Sequence, residues 1–265
     1  RLLKVTTSGG LTFLTVGPTS SGKSSTNNAI LQSVPATTRV VLLQNPSEID
    51  LRKRDSTGRV YNDVIHPEAK EIENPSSTDP TMINLMNHIL RLSPNLVCFG
   101  EIRSNQEFAF AMTIAMAGHP FSTTLHAESS SGAIDRFVTA YKAATNEDTP
   151  TATKNVCNHV NLIVVQKIMR DGTRKVLQIS EVVGIGADSN PIINDIYLFE
   201  KDGEPVYDEA GNVKEIPGKH VRVGCLSPRT IRKLELEGVR GSDYSFVLEE
   251  PMDGEIETYT GEGVD

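Results

Sequence analysis

Short apolar runs alternate with amphipathic stretches through the first half of the chain. The apolar runs predict buried strands at 11–16, 40–44, 96–99 and 121–126. Between them, apolar residues at helical spacing predict helices at 23–33, 79–90 and 104–118. Strands that alternate with helices in this way favour an α/β fold, in which a mostly parallel sheet is covered on both faces.

Local signals mark the ends of these helices. Asp79 before Pro80 is typical of an N-cap followed by proline at the first helical position. Ser104 and Glu107 have the spacing of a capping box, in which each side chain accepts a hydrogen bond from the backbone N–H of the other residue. The helix that begins near Lys23 is expected to stop before Pro35.

The pattern changes after residue 161. Two apolar runs, 162–168 and 175–183, lie on either side of Asp171-Gly172. This dipeptide between two strands predicts a hairpin with a type I′ turn.

The last third of the chain is predicted to be rich in hairpins. A second Asp-Gly pair occurs at Asp202-Gly203, and a short helix is predicted at 228–237, ended by Gly238. We therefore expect an α/β core over 1–186 and a small C-terminal appendage over 187–265 that contains a hairpin, a short helix and an acidic tail.

Composition indicates an ordinary globular protein. The chain has 265 residues, of which 38% are apolar and 23% charged, and no apolar run approaches the length of a membrane span. The N-terminus is too short and too polar before the first motif to be a secretory signal. Cys98, Cys157 and Cys225 are odd in number and far apart, which fits neither a disulfide framework nor a zinc site, so we expect reduced packing residues.

Charge is concentrated at the C-terminus. The net charge is −8, and residues 241–265 contain eight acidic residues and no basic one, so residues 1–240 are neutral overall. Residues 1–240 therefore have no net positive charge that would attract nucleic acid, and direct DNA binding is not expected. The acidic tail is interpreted as a solvated segment.

A glycine-rich segment follows the first predicted strand and leads into the first predicted helix. It fits the phosphate-binding pattern G-x-x-x-x-G-K-[ST] without deviation. The residues predicted to bind phosphate are Gly17, Pro18, Thr19, Ser20, Ser21, Gly22, Lys23, Ser24 and the next residue, Ser25. The glycines let backbone N–H groups surround the phosphates, and the helix directs its positive end at them. The alternative is a Gly/Ser-rich turn that binds no ligand.

Two side chains of this segment have expected roles in phosphate chemistry. Lys23 is expected to neutralise the β- and γ-phosphates of a nucleotide, and Ser24 to offer its hydroxyl to Mg²⁺. A third residue, Glu101, follows the apolar run 96–99 and Gly100. Many P-loop proteins carry an aspartate where Gly100 stands, so Glu101 is predicted to orient the metal shell, the attacking water, or both. The alternative for Glu101 is a surface glutamate that opens a loop.

Several motifs occur together in a fixed order. They are 17–24, 100–103, 117–119, 122–127, Arg136, 179–184, 195–199 and 228–234. In this order they resemble the type II/type IV secretion and pilus traffic ATPases, particularly the CpaF-like branch that powers tight-adherence pili. The resemblance spans most of the chain and implies a RecA-like P-loop core that hydrolyses ATP with Mg²⁺.

The resemblance also implies partners and a location. Such a chain would form a homo-oligomer, a hexameric ring, on inner-membrane secretion or pilus platform proteins at the cytoplasmic face of the membrane. Relatives place a separate N-terminal domain before the phosphate loop, whereas sixteen residues precede Gly17 here. We therefore expect this chain to correspond to the ATPase domain without that domain.

The resemblance assigns roles to further residues. His126, in the histidine box, would sense the γ-phosphate, with His119 as a weaker match; a lone histidine at a strand end is otherwise more often a packing residue. In such rings arginines reach the phosphates from an adjacent subunit, and Arg91 and Arg103 match the family best. Other arginine candidates, which lie in a polar loop and fit a solvated face equally well, are Arg52, Arg54 and Arg59.

The sequence departs from the family at an acidic pair after the second strand. Gln44-Asn45 occupy the positions where relatives carry Glu-Asp. Loss of a general base there would lower the rate by roughly 10²- to 10⁴-fold, and Glu101 or Glu48 could compensate. The chain could instead be a nucleotide-gated assembly module with weak hydrolysis. A RecA-like nucleic-acid translocase is a further alternative, which 5% aromatic residues and a neutral body disfavour. No Asn-Lys-x-Asp motif for guanine follows the core strands, which disfavours a GTPase.

Overall fold

The computed structural model describes residues 1–44, 48–68, 70 and 81–249. The strands are β1 (Phe13–Val16), β2 (Val40–Leu43), β3 (Val64–Ile65), β4 (Leu96–Glu101), β5 (Phe121–Leu125), β6 (Leu162–Ile168), β7 (Arg174–Ile185), β8 (Pro191–Lys201), β9 (Val206–Tyr207), β10 (Val213–Glu215) and β11 (Gly218–Arg222). The helices are α1 (Leu2–Ser8), α2 (Lys23–Leu31), α3 (Met82–Ile89), α4 (Asn105–Met116), α5 (Ser130–Thr145), α6 (Thr149–His159), α7 (Pro228–Leu236) and α8 (Gly241–Tyr244), with 3₁₀ turns at Leu90–Leu92 and Ser245–Val247.

Nine of these strands form one sheet, in the order β11-β8-β7-β6-β1-β5-β4-β2-β3. The strands from β6 to β3 pair in parallel. The pairs β6–β7, β7–β8 and β8–β11 are antiparallel, so antiparallel strands extend one edge of the sheet. The expectation of an α/β fold with a mostly parallel central sheet is confirmed.

Helices cover both faces of the sheet and create two apolar cores. One core contains side chains of α4, α5 and α6, and the other contains side chains of α1, α2 and α7. Burial of apolar surface on both faces explains why the central strands β1, β2 and β5 are continuous buried runs rather than alternating ones. Helices α5 and α6 were not predicted from the sequence.

Most of the predicted helix ends agree with the structure. The capping box is confirmed, since Ser104 Oγ accepts the backbone N–H of Glu107 and the Glu107 carboxylate accepts that of Ser104. Near residue 80, α3 begins at Met82 with Thr81 as its N-cap, so the helix starts later than predicted. The predicted N-cap, Asp79, and Pro80 lie outside the described residues.

The predicted type I′ turn between β6 and β7 is wrong. A type I′ turn requires a positive φ at both central residues, whereas Gly172 has φ +78° and Asp171 is not among the residues with positive φ. The backbone N–H of Met169 donates to Thr173 O at 2.8 Å, and that of Gly172 donates to Met169 O at 3.0 Å, which leaves a three-residue loop. Asp171 accepts hydrogen bonds from the N–H and the hydroxyl of Thr173, which stabilises this longer turn.

The C-terminal region packs directly on the core. Ile185 of β7 is paired with Pro191 of β8, so strands on either side of the 186/187 boundary share one sheet. Leu234 of α7 is fully buried in the same apolar core as Phe13 of β1. The short helix at 228–237 is confirmed as α7. The division into 1–186 and 187–265 stays a prediction, and the tail from residue 250 lies outside the described residues.

Two of the three cysteines behave as packing residues. Cys98 and Cys157 are buried free thiols. Burial raises the pKa of Cys98 to about 12 and that of Cys157 to about 11. Among the helices of the described residues, none is both long enough and apolar enough to cross a bilayer.

Candidate nucleotide-binding site

The phosphate-binding segment lies at the carboxyl end of the central strand. It connects β1 to α2, and β1 is flanked in the sheet by β5 and β6. Gly22 forms the N-cap of α2 in a left-handed conformation, with φ +90°, and no side chain caps the helix. The free N–H groups of the first turn and the helix dipole therefore favour an anion at this position. The strand-loop-helix context predicted for the segment is confirmed.

Close packing explains the two glycines of the segment. A Cβ atom on Gly17 would lie 2.1 Å from the backbone oxygen of Gln166 in β6. A Cβ atom on Gly22 would lie 3.0 Å from both Arg174 Cδ and Gln166 Nε2, in addition to the strain of a positive φ. The loop is thus packed directly against β6 and against the first residue of β7.

Lys23 spans the loop and lies mostly buried. Its side-chain Nζ donates to Pro18 O at 2.9 Å and lies 3.4 Å from His126 Nδ1. Burial lowers the pKa of Lys23, and the nearby Glu101 carboxylate acts in the opposite direction. In the absence of a ligand, the Pro18 carbonyl is thus an acceptor for the ammonium group.

His126 and Glu101 form a pair beside this lysine. His126 Nε2 lies 3.0 Å from Glu101 Oε1. Since the Lys23 ammonium can only donate hydrogen bonds, His126 Nδ1 must accept, and the proton lies on Nε2 and points to Glu101. The second carboxylate oxygen of Glu101 accepts from Arg103, at 2.6 Å from Nη2 and 2.9 Å from Nε. A continuous polar chain therefore connects Lys23, His126, Glu101 and Arg103.

The glycine in place of the expected aspartate has a steric reason. A Cβ atom on Gly100 would lie 2.8 Å from Cβ of Gln44, the residue that follows the neighbouring strand β2. The carbonyl of Gly100 accepts the Thr124 hydroxyl at 2.8 Å, and the pairing of β4 with β5 shifts register between Cys98 and Glu101. Gly100 thus leaves room for Gln44, and Glu101 carries the carboxylate of this strand end.

Gln44 holds the loop that follows β2. Its side chain is 1% exposed. Its Oε1 accepts the backbone N–H groups of Glu48 and Ile49, each at 3.0 Å, while its Nε2 donates to Ile49 O at 2.6 Å. Nε2 also lies 3.1 Å from Nε2 of His66. An amide provides a donor and an acceptor together, which an ionised carboxylate does not. Asn45 lies outside the described residues.

These groups line one cavity of about 660 Å³. This volume is within the range of small-molecule sites. The predicted site residues that line it are Thr19, Ser20, Gly22, Lys23, Ser24, Ser25, Glu101, Arg103 and His126, and Glu48 also lines it. Arg174 also lines the cavity and was missed, because nothing in its local sequence connects it to a loop 150 residues earlier.

Other candidates lie away from this cavity. Arg91 is exposed in the 3₁₀ turn before β4, at the opposite end of the strand from Glu101. His119 precedes β5, and its Nδ1 donates to Pro94 O at 2.7 Å, also away from the phosphate loop. Arg52 binds Asp50 at 2.7 Å, with both side chains exposed. Within this chain, the structure therefore brings Arg103, and not Arg91, to the phosphate loop.

Comparison with known families gives a match over most of the chain. The model of the family described as Type II/IV secretion system protein matches residues 1–214. The type II secretion system ATPase E of Vibrio cholerae is 32% identical over 125 residues, which is 47% of this chain and 22% of that protein. The type II secretion system protein HxcR of Pseudomonas aeruginosa is 30% identical over 126 residues, which is 47% of this chain and 24% of that protein. The chain thus corresponds to less than a quarter of the length of these relatives.

Solved structures share the fold at lower identity. The VirB11 ATPase of the Brucella suis type IV secretion system, in complex with sulphate, superimposes with a TM-score of 0.54 and 20% identity over 67% of this chain and 50% of that one. The pilus retraction motor PilT with bound ADP gives a TM-score of 0.51 and 19% identity over 70% of this chain and 51% of that one. These structures are secretion and pilus ATPases, so the RecA-like P-loop fold implied by the sequence is confirmed.

Proposed function

The chain belongs to the type II/IV secretion system protein family, and from that premise we propose that it is the Mg²⁺-dependent ATPase part of a motor subunit in a bacterial secretion, conjugation or pilus-assembly machine. The observation that carries the proposal is one cavity in which the phosphate loop faces Lys23, Glu101 and His126. Phosphoryl transfer needs positive charge on the phosphates and a polar group beside the attacking water, and this cavity offers both.

The binding residues follow from the loop geometry. The backbone N–H groups of the loop and the ammonium of Lys23 hold the phosphates. Mg²⁺ prefers hydroxyl, carboxylate and phosphate oxygens, and Ser24 and Glu101 offer the first two within the cavity. When bound, this ion neutralises charge that develops on the phosphate oxygens during transfer.

Glu101 and His126 are the proposed catalytic pair. The Glu101 carboxylate orients water or the metal shell. The hydrogen bond from His126 Nε2 fixes the orientation of that carboxylate. When a γ-phosphate attracts the Lys23 ammonium, His126 Nδ1 loses the hydrogen bond from Lys23. The hydrogen bond from His126 Nε2 to Glu101 changes as a result. His126 thereby reports the state of the phosphate, and Arg103, bound to Glu101 at 2.6 Å, carries that state to the surface.

We place this domain in a homo-oligomeric ring, hexameric as the resemblance implies, on an inner-membrane platform at the cytoplasmic face. Arg91 is exposed and lies at the other end of the sheet, which suits a residue that reaches the phosphates of an adjacent subunit rather than its own. Arg103 serves in the same way or within its own site. Mass measurement with and without an ATP analogue tests the ring.

The second candidate is a nucleotide-gated assembly module with weak hydrolysis. One observation favours it: Gln44, at the position of one family acid, is a buried amide that holds the loop after β2, so Glu101 is the carboxylate in contact with His126. A nucleic-acid translocase finds less support, and stimulation of phosphate release by DNA would favour it.

Calorimetry with Mg·ATP and measurement of phosphate release separate these functions. A motor requires that the wild type binds Mg·ATP and releases phosphate well above the background of Lys23→Ala. Binding with phosphate release equal to that background overturns the motor and supports the assembly module. Failure of the folded wild type to bind Mg·ATP overturns both.

A further inference from the structure

The hairpin of β6 and β7 lies against the phosphate loop. Arg174, the first residue of β7, donates from Nε to Ser20 O at 2.9 Å across a separation of 154 residues. Its Cδ atom is 3.0 Å from the position of a Cβ atom on Gly22, so its side chain follows the loop from Ser20 to Gly22. Arg174 also lines the nucleotide cavity.

The guanidinium of Arg174 has capacity for a ligand. Within the described part of the chain, its single hydrogen bond is the one from Nε, and its Nη groups meet no carboxylate. Arg103, by contrast, is bound to Glu101, and Arg136 donates to His126 O. A planar guanidinium with free Nη groups is well suited to phosphate oxygens, because its N–H groups form a fork that matches them.

The backbone of Arg174 is held on both sides. Asp171, three residues earlier, accepts the backbone N–H of Ile216 at 2.9 Å. Lys175, the next residue, donates to Ile216 O at 3.0 Å and lies 4.7 Å from the ring centre of Phe199. The hairpin is thus attached to the C-terminal part of the sheet, and Arg174 is presented to the loop without the entropy cost of ordering a free segment.

We propose that Arg174 is a further phosphate-binding residue, supplied by the β6–β7 hairpin of the same chain, that contacts the phosphates of the bound nucleotide through its Nη groups. The inference rests on the proposed function. It adds an intramolecular arginine to the arginines expected from a neighbouring subunit, and it connects nucleotide occupancy to the C-terminal strands through Asp171 and Lys175.

Calorimetry of Mg·ATP binding to the whole chain tests this proposal. Arg174→Ala is expected to raise the Kd about 10-fold, the effect of one charge-assisted hydrogen bond at a partly exposed site. Arg174→Lys keeps the charge but not the fork, and is expected to lose less. The matched control is Arg170→Ala, which removes the same charge from the exposed loop of the same hairpin and should leave the Kd within a factor of two of wild type.

A second measurement separates phosphate contact from a role in shaping the loop. The dependence of Kd on salt is expected to weaken in Arg174→Ala and in Arg174→Gln, because an ionic contact with the phosphates is lost. Arg174→Gln serves if the alanine variant does not fold, and the unfolding temperature of each variant without nucleotide checks folding.

Provided that the wild type binds Mg·ATP, the inference alone is overturned if the folded Arg174 variants have an unchanged Kd. It is also overturned if their Kd rises but its dependence on salt is unchanged. Equal losses in Arg174→Ala and Arg170→Ala would also overturn it, since they would indicate bulk charge. Absence of Mg·ATP binding by the wild type overturns the proposed function, and the inference with it.

Discussion

Replacement of Gln44 by glutamate distinguishes a structural amide from the remnant of a lost catalytic acid. Gln44 is 1% exposed, and its Nε2 donates to Ile49 O at 2.6 Å. An ionised carboxylate cannot make this bond, so the carbonyl of Ile49 loses its donor and faces a second acceptor.

The energetic cost follows from the lost bond and the buried charge. Loss of the hydrogen bond costs about 1 kcal/mol, and the unpaired carbonyl together with the desolvated carboxylate adds about 1–3 kcal/mol. The expected total is about 2–4 kcal/mol, which lowers the unfolding temperature of a chain of this size by about 5–15 °C. Urea unfolding followed by fluorescence or circular dichroism measures the loss.

Gln106→Glu is the matched control for this substitution. Gln106 is exposed in the first turn of α4, where the same chemical change should alter stability by less than about 0.5 kcal/mol. We also expect no gain in phosphate release for Gln44→Glu. A variant that is as stable as wild type and hydrolyses ATP 100-fold faster would refute the interpretation of Gln44 as a structural residue and identify its position as that of the general base.

Three further outcomes are expected. His126→Ala should lower phosphate release roughly 10- to 100-fold with little change in the Kd for Mg·ATP, because His126 contacts Glu101 and Lys23 rather than the loop backbone; an equal loss in both quantities would contradict the sensor role. Because burial lowers the pKa of Lys23, the unfolded chain binds more protons than the folded chain as pH rises towards the ordinary lysine value. The nucleotide-free protein should therefore gain stability over that range while Mg·ATP affinity falls. In Lys23→Ala the gain in stability should be smaller but still present, because burial also lowers the pKa of Lys233; an undiminished gain would contradict the contribution of Lys23. Cys98 and Cys157 should react with a thiol reagent at pH 8 only after unfolding, because burial raises their pKa to about 12 and about 11. Mass spectrometry locates the labelled cysteines, and rapid labelling of either one in the native protein would contradict its burial.

Features that depend on neighbouring residues were predicted well. The phosphate loop, the capping box of Ser104 and the strand at 162–168 each depend on contiguous residues whose backbone conformation and burial are set locally. Glu101 was predicted as a candidate because it follows an apolar strand, and His126 because the family resemblance places it in the histidine box. That they form a pair with Nε2 at 3.0 Å from Oε1 depends on the register of β4 and β5.

The errors have a common physical origin in tertiary context. The Asp171-Gly172 dipeptide does favour a turn, but the length of the loop is set by the pairing of β6 with β7, which places three residues between Met169 and Thr173. The N-cap of α3 moved to Thr81, beyond the pattern at Asp79-Pro80. A local propensity of a few tenths of a kcal/mol is readily outweighed by such packing.

The sequence by itself determined that a phosphate loop lies between a buried strand and a helix, because glycine conformations and hydrophobic periodicity are properties of adjacent residues. Only the tertiary structure decided which distant groups meet that loop: Arg174 and Gln166 from the hairpin, and Gln44 against Gly100. These contacts join residues up to 154 positions apart, and they exist because the strand order of the sheet brings those backbones together. No spacing along the chain encodes that order directly, since it is selected by the burial of both sheet faces at once.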